Sequence, residues 1–241
     1  MNWYPGPDGQ PRIWYEPEEI EGIAEEELRR AKLTPTLDNP VTDLEHLVEV
    51  HLKAKLDQYA ELPEDVLGVT HFQSRQKIHV SISKALTESA EESTPRPGIV
   101  GRWRATLAHE ASHIILHRYL FDPVLAGTVV SGSKENKPEY ARLMRCLNKD
   151  VAAEKSDNWN RTRRANDWRE VQANMGMAAL LMPQRLFKRI AQRQIDELML
   201  SGLTKGSPSA ISLCSAVSDI FRVSKQAASI RLESLAFVSA S

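Results

Sequence analysis

Thr106-Leu107-Ala108-His109-Glu110-Ala111-Ser112-His113 is the stretch on which the reading of this chain turns. It fits the pattern H-E-x-x-H. On a helix, residues four apart lie on one face, about 6 Å apart along the axis. Two imidazoles so placed can converge on one Zn²⁺, and Glu110 then projects beside the ion as a general base for a hydrolytic water. The flanks agree. Trp103 to Leu120 contains neither Gly nor Pro, and Leu107, Ala108, Ala111, Ile114 and Ile115 recur at helical spacing, as in a buried helix that Thr106 would cap. The competing reading is a core helix carrying two hydrogen-bonded histidines.

A catalytic zinc takes three protein ligands and leaves one position open. His117 is too far along the axis from His109 to share an ion with both His109 and His113. The metzincin pattern is absent, because Leu116 and Tyr119 stand where it needs Gly and His. His117 therefore reads as a hydrogen-bonding neighbour of the site. The third ligand must come from later in the chain, where the carboxylates include Glu135, Glu139, Asp150, Glu154, Asp157, Asp167 and Glu170. Glu170 opens an apolar helical run that Pro183 stops. Asn174, one turn on, shares its face and can orient a ligand histidine. Spacing alone leaves Glu170 divided between a ligand and a first-turn acid that offsets the helix dipole.

Two segments together resemble the ImmA/IrrE family of metallo-endopeptidases. They are Thr106-Leu107-Ala108-His109-Glu110 through His113 to His117, and Glu170-Val171-Gln172-Ala173-Asn174 through Ala178-Ala179-Leu180-Leu181-Met182-Pro183. The resemblance covers roughly residues 40 to 190. It implies a gluzincin site with ligands His109, His113 and Glu170 and Glu110 as general base. The expected cofactor is one Zn²⁺ per chain, although His₂Glu also suits Mn²⁺. The departures are Ala111-Ser112 between the histidines, a long gap from His113 to Glu170, and Gly176 where an aromatic is common. Gly176 is expected to loosen helix packing or open space near the site.

The expected fold class is α+β: a zincin-like metallopeptidase core with a small, mainly antiparallel sheet, followed by a helical, helix-turn-helix-like C-terminal segment. The expected divisions are an N-terminal arm and helix over 1–39, the metallopeptidase domain over 40–190 and a C-terminal helical module over 191–241. Residues 1 to 15 read as an irregular arm, 17 to 33 as a helix, and Thr42 or Asp43 as the cap of a helix running to about Leu56. Val66 to Phe72 and Lys77 to Ser83 read as strands joined by a turn at Gln73-Ser74-Arg75-Gln76. The second strand is the expected edge strand for the substrate backbone. His71 and His79 in this hairpin read as packing or solvent-facing residues rather than ligands. Ala85 to Pro97 reads as a mobile loop, Leu120 to Val130 as a short strand or loop, and the basic stretch from Asp150 to Trp168 as a solvated surface rather than a lid.

With 241 residues, 41% hydrophobic and 26% charged, the chain has room for one sizeable core. A formal net charge of −1 gives it no overall drive toward nucleic acid or a membrane surface. It has no apolar run of membrane-spanning length. Cys146 and Cys214 are distant and unpatterned, and the N-terminus lacks a basic region followed by an apolar stretch. A cytoplasmic location is expected.

Near the C-terminus, Leu213 to Phe221 and Val223 to Leu232 read as two short helices, with Ser224 capping the second. Arg222, Lys225 and Arg231 are their basic residues, against Asp219 and Glu233. The pair reads as a packing or protein-recognition element in preference to a DNA reader. The resemblance implies a protein substrate, a helix-turn-helix transcriptional repressor whose cleavage derepresses stress-response or mobile-element genes. The alternative is a non-proteolytic regulatory protein that binds a repressor or DNA and keeps a structural metal. Tyr119, Tyr140 and Arg104 are the oxyanion donors to consider. Oligomeric state is not legible.

Overall fold

The computed structural model describes residues 2–5, 11–73, 77–96, 98–121, 143–147 and 167–239. The expected elements at 122–130 and 150–166, most of the turn at 73–76, and Tyr140 lie outside these. The chain is mixed α+β. Its sheet is four-stranded and mixed, in the order β3 (Lys55–Ala60), β5 (Ile78–Ser83), β4 (Val66–Phe72), β6 (Leu143–Leu147). β3 runs parallel to β5, while β5–β4 and β4–β6 are antiparallel.

Against the sheet lies α4 (Ile99–His117), the helix that carries the H-E-x-x-H residues. Across α4 packs α5 (Asp167–Leu181), stopped ahead of Pro183. α6 (Gln184–Glu197), α7 (Pro208–Phe221) and α8 (Lys225–Ser234) follow. Their Phe187, Leu213, Val217, Phe221 and Leu232 join the same core cluster as Leu107 and Ala108 of α4 and Val80 of β5. Phe187 and Phe221 stack at 5.4 Å between ring centroids. Each such buried side chain contributes about 1.5–3 kcal/mol.

Several sequence expectations are corrected. α4 begins at Ile99, with Gly98 in the left-handed region (φ 83°), so Thr106 is not its cap. Thr106 is buried mid-helix, and its hydroxyl donates to the Arg102 carbonyl. The helix expected to reach Leu56 ends at His51, after a short turn Leu44–His46 (α2) continued by a wider π turn, Leu47–His51. Lys53, at φ 56°, reverses the chain, and Leu56 belongs to β3. Ala85 to Pro97 is not all loop. Lys84–Glu91 forms α3, because Leu86 and Thr87 bury themselves beneath it. The N-terminal arm is a hairpin, β1 (Asn2–Pro5) paired with β2 (Pro11–Trp14). Ile13 of β2 and Tyr15 just after it pack with Ile20 of α1 (Pro17–Arg30) and Leu116. β5 is not an edge strand: it lies between β3 and β4, and among the described strands the outer ones are β3 and β6.

Gly176 neither loosens the packing nor opens space. A Cβ built there would lie 2.9 Å from the Ser112 Cβ and 2.7 Å from its Oγ, so the missing side chain lets α5 press on α4. Gly176→Ala gains about 1 kcal/mol of helix propensity. It must also displace Ser112 in a packed interface, which costs about 1–3 kcal/mol. The expected net result is a loss of about 1–2 kcal/mol, read as a lower denaturant midpoint at unchanged slope.

Ser224 caps α8 as expected, accepting from the Ala227 N–H at 3.1 Å. Arg231, counted among the basic residues of this helix pair, is only 6% exposed. It forks onto Glu21 of α1 at 2.5 and 2.9 Å and donates to the Met182 carbonyl. Arg231 therefore ties α8 to the body and is not part of an exposed recognition face. Among the described residues, no helix is long and apolar enough to cross a membrane.

Candidate metal centre

α4 buries its chemistry. His109, Glu110, His113 and His117 are each 0% exposed. Helical period aligns the two histidines, and α5 brings Glu170 to them from across the helix pair. His109 Nε2 lies 3.1 Å from Glu170 Oε2 and 3.0 Å from His113 Nε2, and His113 Nε2 lies 3.5 Å from the same carboxylate oxygen. Among the described residues this is the one group of three or more His, Cys, Asp or Glu side chains close enough to share a cation. Ligand distances of about 2.0–2.1 Å in a tetrahedron put ligand atoms roughly 3.3–3.4 Å apart. Two nitrogens and one carboxylate oxygen at these separations fit a small divalent ion. Glu170 is the open side of the group, with 26% of its side chain exposed.

The outer nitrogens of both histidines are held. His109 Nδ1 meets Asn174 Oδ1 at 3.1 Å. An amide oxygen only accepts, so Nδ1 carries the proton and Nε2 is left bare for a cation. His113 Nδ1 meets His117 Nδ1 at 3.1 Å, and His117 Nε2 meets Gln172 Oε1 at 3.1 Å. Gln172 in turn donates to the Ile13 carbonyl. By the same logic His117 Nε2 is protonated, its Nδ1 accepts from His113, and His113 Nε2 is bare. Trp168 stands edge-on to His117 at 5.4 Å. Burial lowers the pKa of His113 and takes that of His117 well below the ordinary histidine value, favouring the neutral form of both, the form in which His113 could hold a cation. His117 and Asn174 thus occupy the supporting positions read from the sequence. Gln172 and the hairpin residue Ile13 were not legible, since nothing in a helical period marks an acceptor relayed through a third side chain.

Glu110 faces the sheet. Its Oε2 accepts from the Thr70 hydroxyl on β4 at 2.5 Å, its Oε1 has no hydrogen-bond partner among the described residues, and the Cys146 backbone amide of β6 faces the carboxylate. Gly68 on β4 permits this approach, because a Cβ there would lie 2.7 Å from Glu110 Oε1. A glycine interrupting a strand pattern is the sequence signal that could have pointed to it. Burial pushes the Glu110 carboxyl up to about 8, against the pull of His109 and the Thr70 hydroxyl and with help from the nearby Glu170 charge. Desolvation also works to raise the Glu170 pKa, but hydrogen bonds and charge from His109 and His113 together outweigh it and hold the group well below the carboxylate range. One carboxyl kept ionised among ligands beside another tuned toward neutrality is the division of labour expected of a ligand and a base.

Of the oxyanion donors considered, Tyr119 turns its hydroxyl to the Ile13 N–H. Arg104 donates to the Thr42 carbonyl and lines a cavity that none of the metal-group residues shares. His71 and His79 pair across β4 and β5 and are not in the metal group. No known family model matches the chain, and no curated protein matches it.

Proposed function

We propose that the chain is a zinc-dependent endopeptidase of the ImmA/IrrE kind that cleaves a specific helix-turn-helix transcriptional repressor. The observation that supports it is the convergence of His109 Nε2, His113 Nε2 and Glu170 Oε2 within 4.8 Å of one another, each nitrogen freed by a partner on the opposite side of its ring. A divalent ion held there supplies Lewis acidity toward a water and a peptide carbonyl. His109 and His113 hold their tautomers through Asn174 and His117. Glu110 accepts a proton from the attacking water and delivers it to the leaving amine. Thr70 sets the Glu110 rotamer through its short hydrogen bond, and the apolar enclosure keeps the pKa of the base near the working pH. The zincin-like description of the core, the regulatory role and the cytoplasmic setting belong to this same reading.

The rival is a regulatory binding protein with a structural metal. The complete enclosure of Glu110 and both histidines favours it, since structural sites are closed. The substrate assignment is tested by incubating the zinc-loaded protein with helix-turn-helix repressors and with casein. Cleavage at a discrete site in one repressor, with casein intact, is expected. General digestion of casein without repressor cleavage would defeat it.

A further inference from the structure

Two arginines outside the metal group face one cavity. The cavity, about 330 Å³, lies where the segment entering α2, the first turns of α4 and the turn between α7 and α8 meet. That is the lower end of the roughly 300–1,000 Å³ usual for small-molecule sites. Its walls are fixed to one another. A Cβ on Gly101 of α4 would lie 2.6 Å from the Ser224 backbone nitrogen and 2.8 Å from the Val223 carbonyl carbon, so helix and turn touch backbone to backbone.

Arg104 is 9% exposed, yet no carboxylate among the described residues pairs with it. Among the described residues its guanidinium makes one hydrogen bond, from Nη2 to the Thr42 carbonyl at 3.0 Å, and its buried Nε has no hydrogen-bond partner. Arg222 closes the α7 end in the left-handed region (φ 52°) and lines the same cavity. Its side chain has no hydrogen bond or ion pair among the described residues. Burial, and then the charge of Arg222, lower the Arg104 pKa to about 10, with Asp43 opposing. The two acids on the rim are already engaged: Asp43 accepts from the His46 N–H at 3.0 Å and Glu45 from the Gln58 amide at 3.2 Å. Trp103 donates its indole N–H to Thr87, which leaves only its ring for a ligand.

A buried guanidinium with no ion-paired carboxylate among the described residues and a second one beside it is an unfavourable arrangement unless an anion completes it. The planar fork of arginine matches the oxygens of phosphate and carboxylate. We propose that this cavity binds a small molecule through one phosphate or carboxylate group held between Arg104 and Arg222, with Trp103 against its body. Asp43 and Glu45 on the rim select a compact ligand over a polyanion such as DNA. The occupant touches the metal-bearing helix and the C-terminal helix pair together. The site stands whether or not the metal centre hydrolyses peptides.

The test uses the full chain loaded with zinc. Inorganic phosphate and malonate are each compared with sodium chloride at equal ionic strength, by unfolding midpoint and by titration calorimetry. Arg222→Gly removes one guanidinium at a backbone conformation glycine favours, and it leaves the histidine site intact, so anion binding at the metal would survive in it. The expected result is a midpoint raised by phosphate or malonate above chloride, with binding at least about tenfold weaker in Arg222→Gly and in Arg104→Met. Whichever anion is effective names the ligand group. Should Arg104→Met fail to fold, Arg222→Gly decides alone. No gain over chloride in the native chain, or an undiminished gain in Arg222→Gly, overturns the proposal.

Discussion

Glu110→Gln is expected to keep the bound metal and lower peptide hydrolysis by about 10²–10⁴-fold, the contribution of a positioned general base. The amide keeps the volume of the carboxyl and can still accept from Thr70, but it cannot take a proton from water. The same substitution has a signed effect on stability in metal-free protein. Glu110 sits near 8 in the folded state against 4.5 for the free group. Below about pH 4.5 both states hold the proton and burial carries no charge penalty. As pH rises toward 8 the unfolded chain ionises first, so the native state loses stability. The Gln variant has no such loss. Its advantage over the parent should be absent below about pH 4.5 and grow to about 5 kcal/mol above pH 8. Equal hydrolysis by parent and variant would remove Glu110 from the chemistry. A stability gap that does not change with pH would show that the carboxyl is not titrating from a buried position.

His109→Ala and Glu170→Ala are expected to lose metal outright. The native chain and Glu110→Gln should bind about one zinc each, as a three-ligand site with an open position requires. Loss of an outer partner typically costs about 10–100-fold in metal affinity. Loss of a ligand should cost well beyond that, because Glu170 Oε2 is the carboxylate oxygen that the described residues bring to the group, within 3.5 Å of both imidazole nitrogens. Metal content after purification, with competition against a chelator of known affinity, reads the difference. If Glu170→Ala kept full occupancy, the acid would be a dipole-compensating residue in the first turn of α5. If the native chain bound no zinc at neutral pH, the peptidase reading would fall, and the buried histidines would be core residues satisfied by Asn174 and His117.

The parts of the site legible in the sequence share one property. Each depends on helical period, which is local. His109 and His113 must fall on one face because they are four apart, and Glu170 with Asn174 likewise. The stop at Pro183 and the cap at Ser224 follow from the chemistry of single residues. What went unread depends on which distant segments meet. Lys55 and Leu56 look like the tail of a helix until Lys53 reverses the chain and β5 offers them a ladder. α3 looks like a polar loop until Leu86 finds the core. Gly176 looks like a gap in a helix until Ser112 fills it.

The sequence by itself therefore determined the helices that carry the candidate metal group, the donor atoms it offers and the mixed class of the fold, because periodicity and side-chain chemistry are carried by neighbours along the chain. Only the tertiary structure decided that Glu170 meets the two histidines and that Gln172 anchors the His117 relay to the N-terminal hairpin. It also decided that Thr70 and β6 enclose Glu110, and that Arg104 turns away to share a cavity with Arg222. Those outcomes rest on contacts between residues far apart in the chain. Their energies come from burying particular polar groups against particular partners, and no periodicity in the sequence encodes which partner that will be.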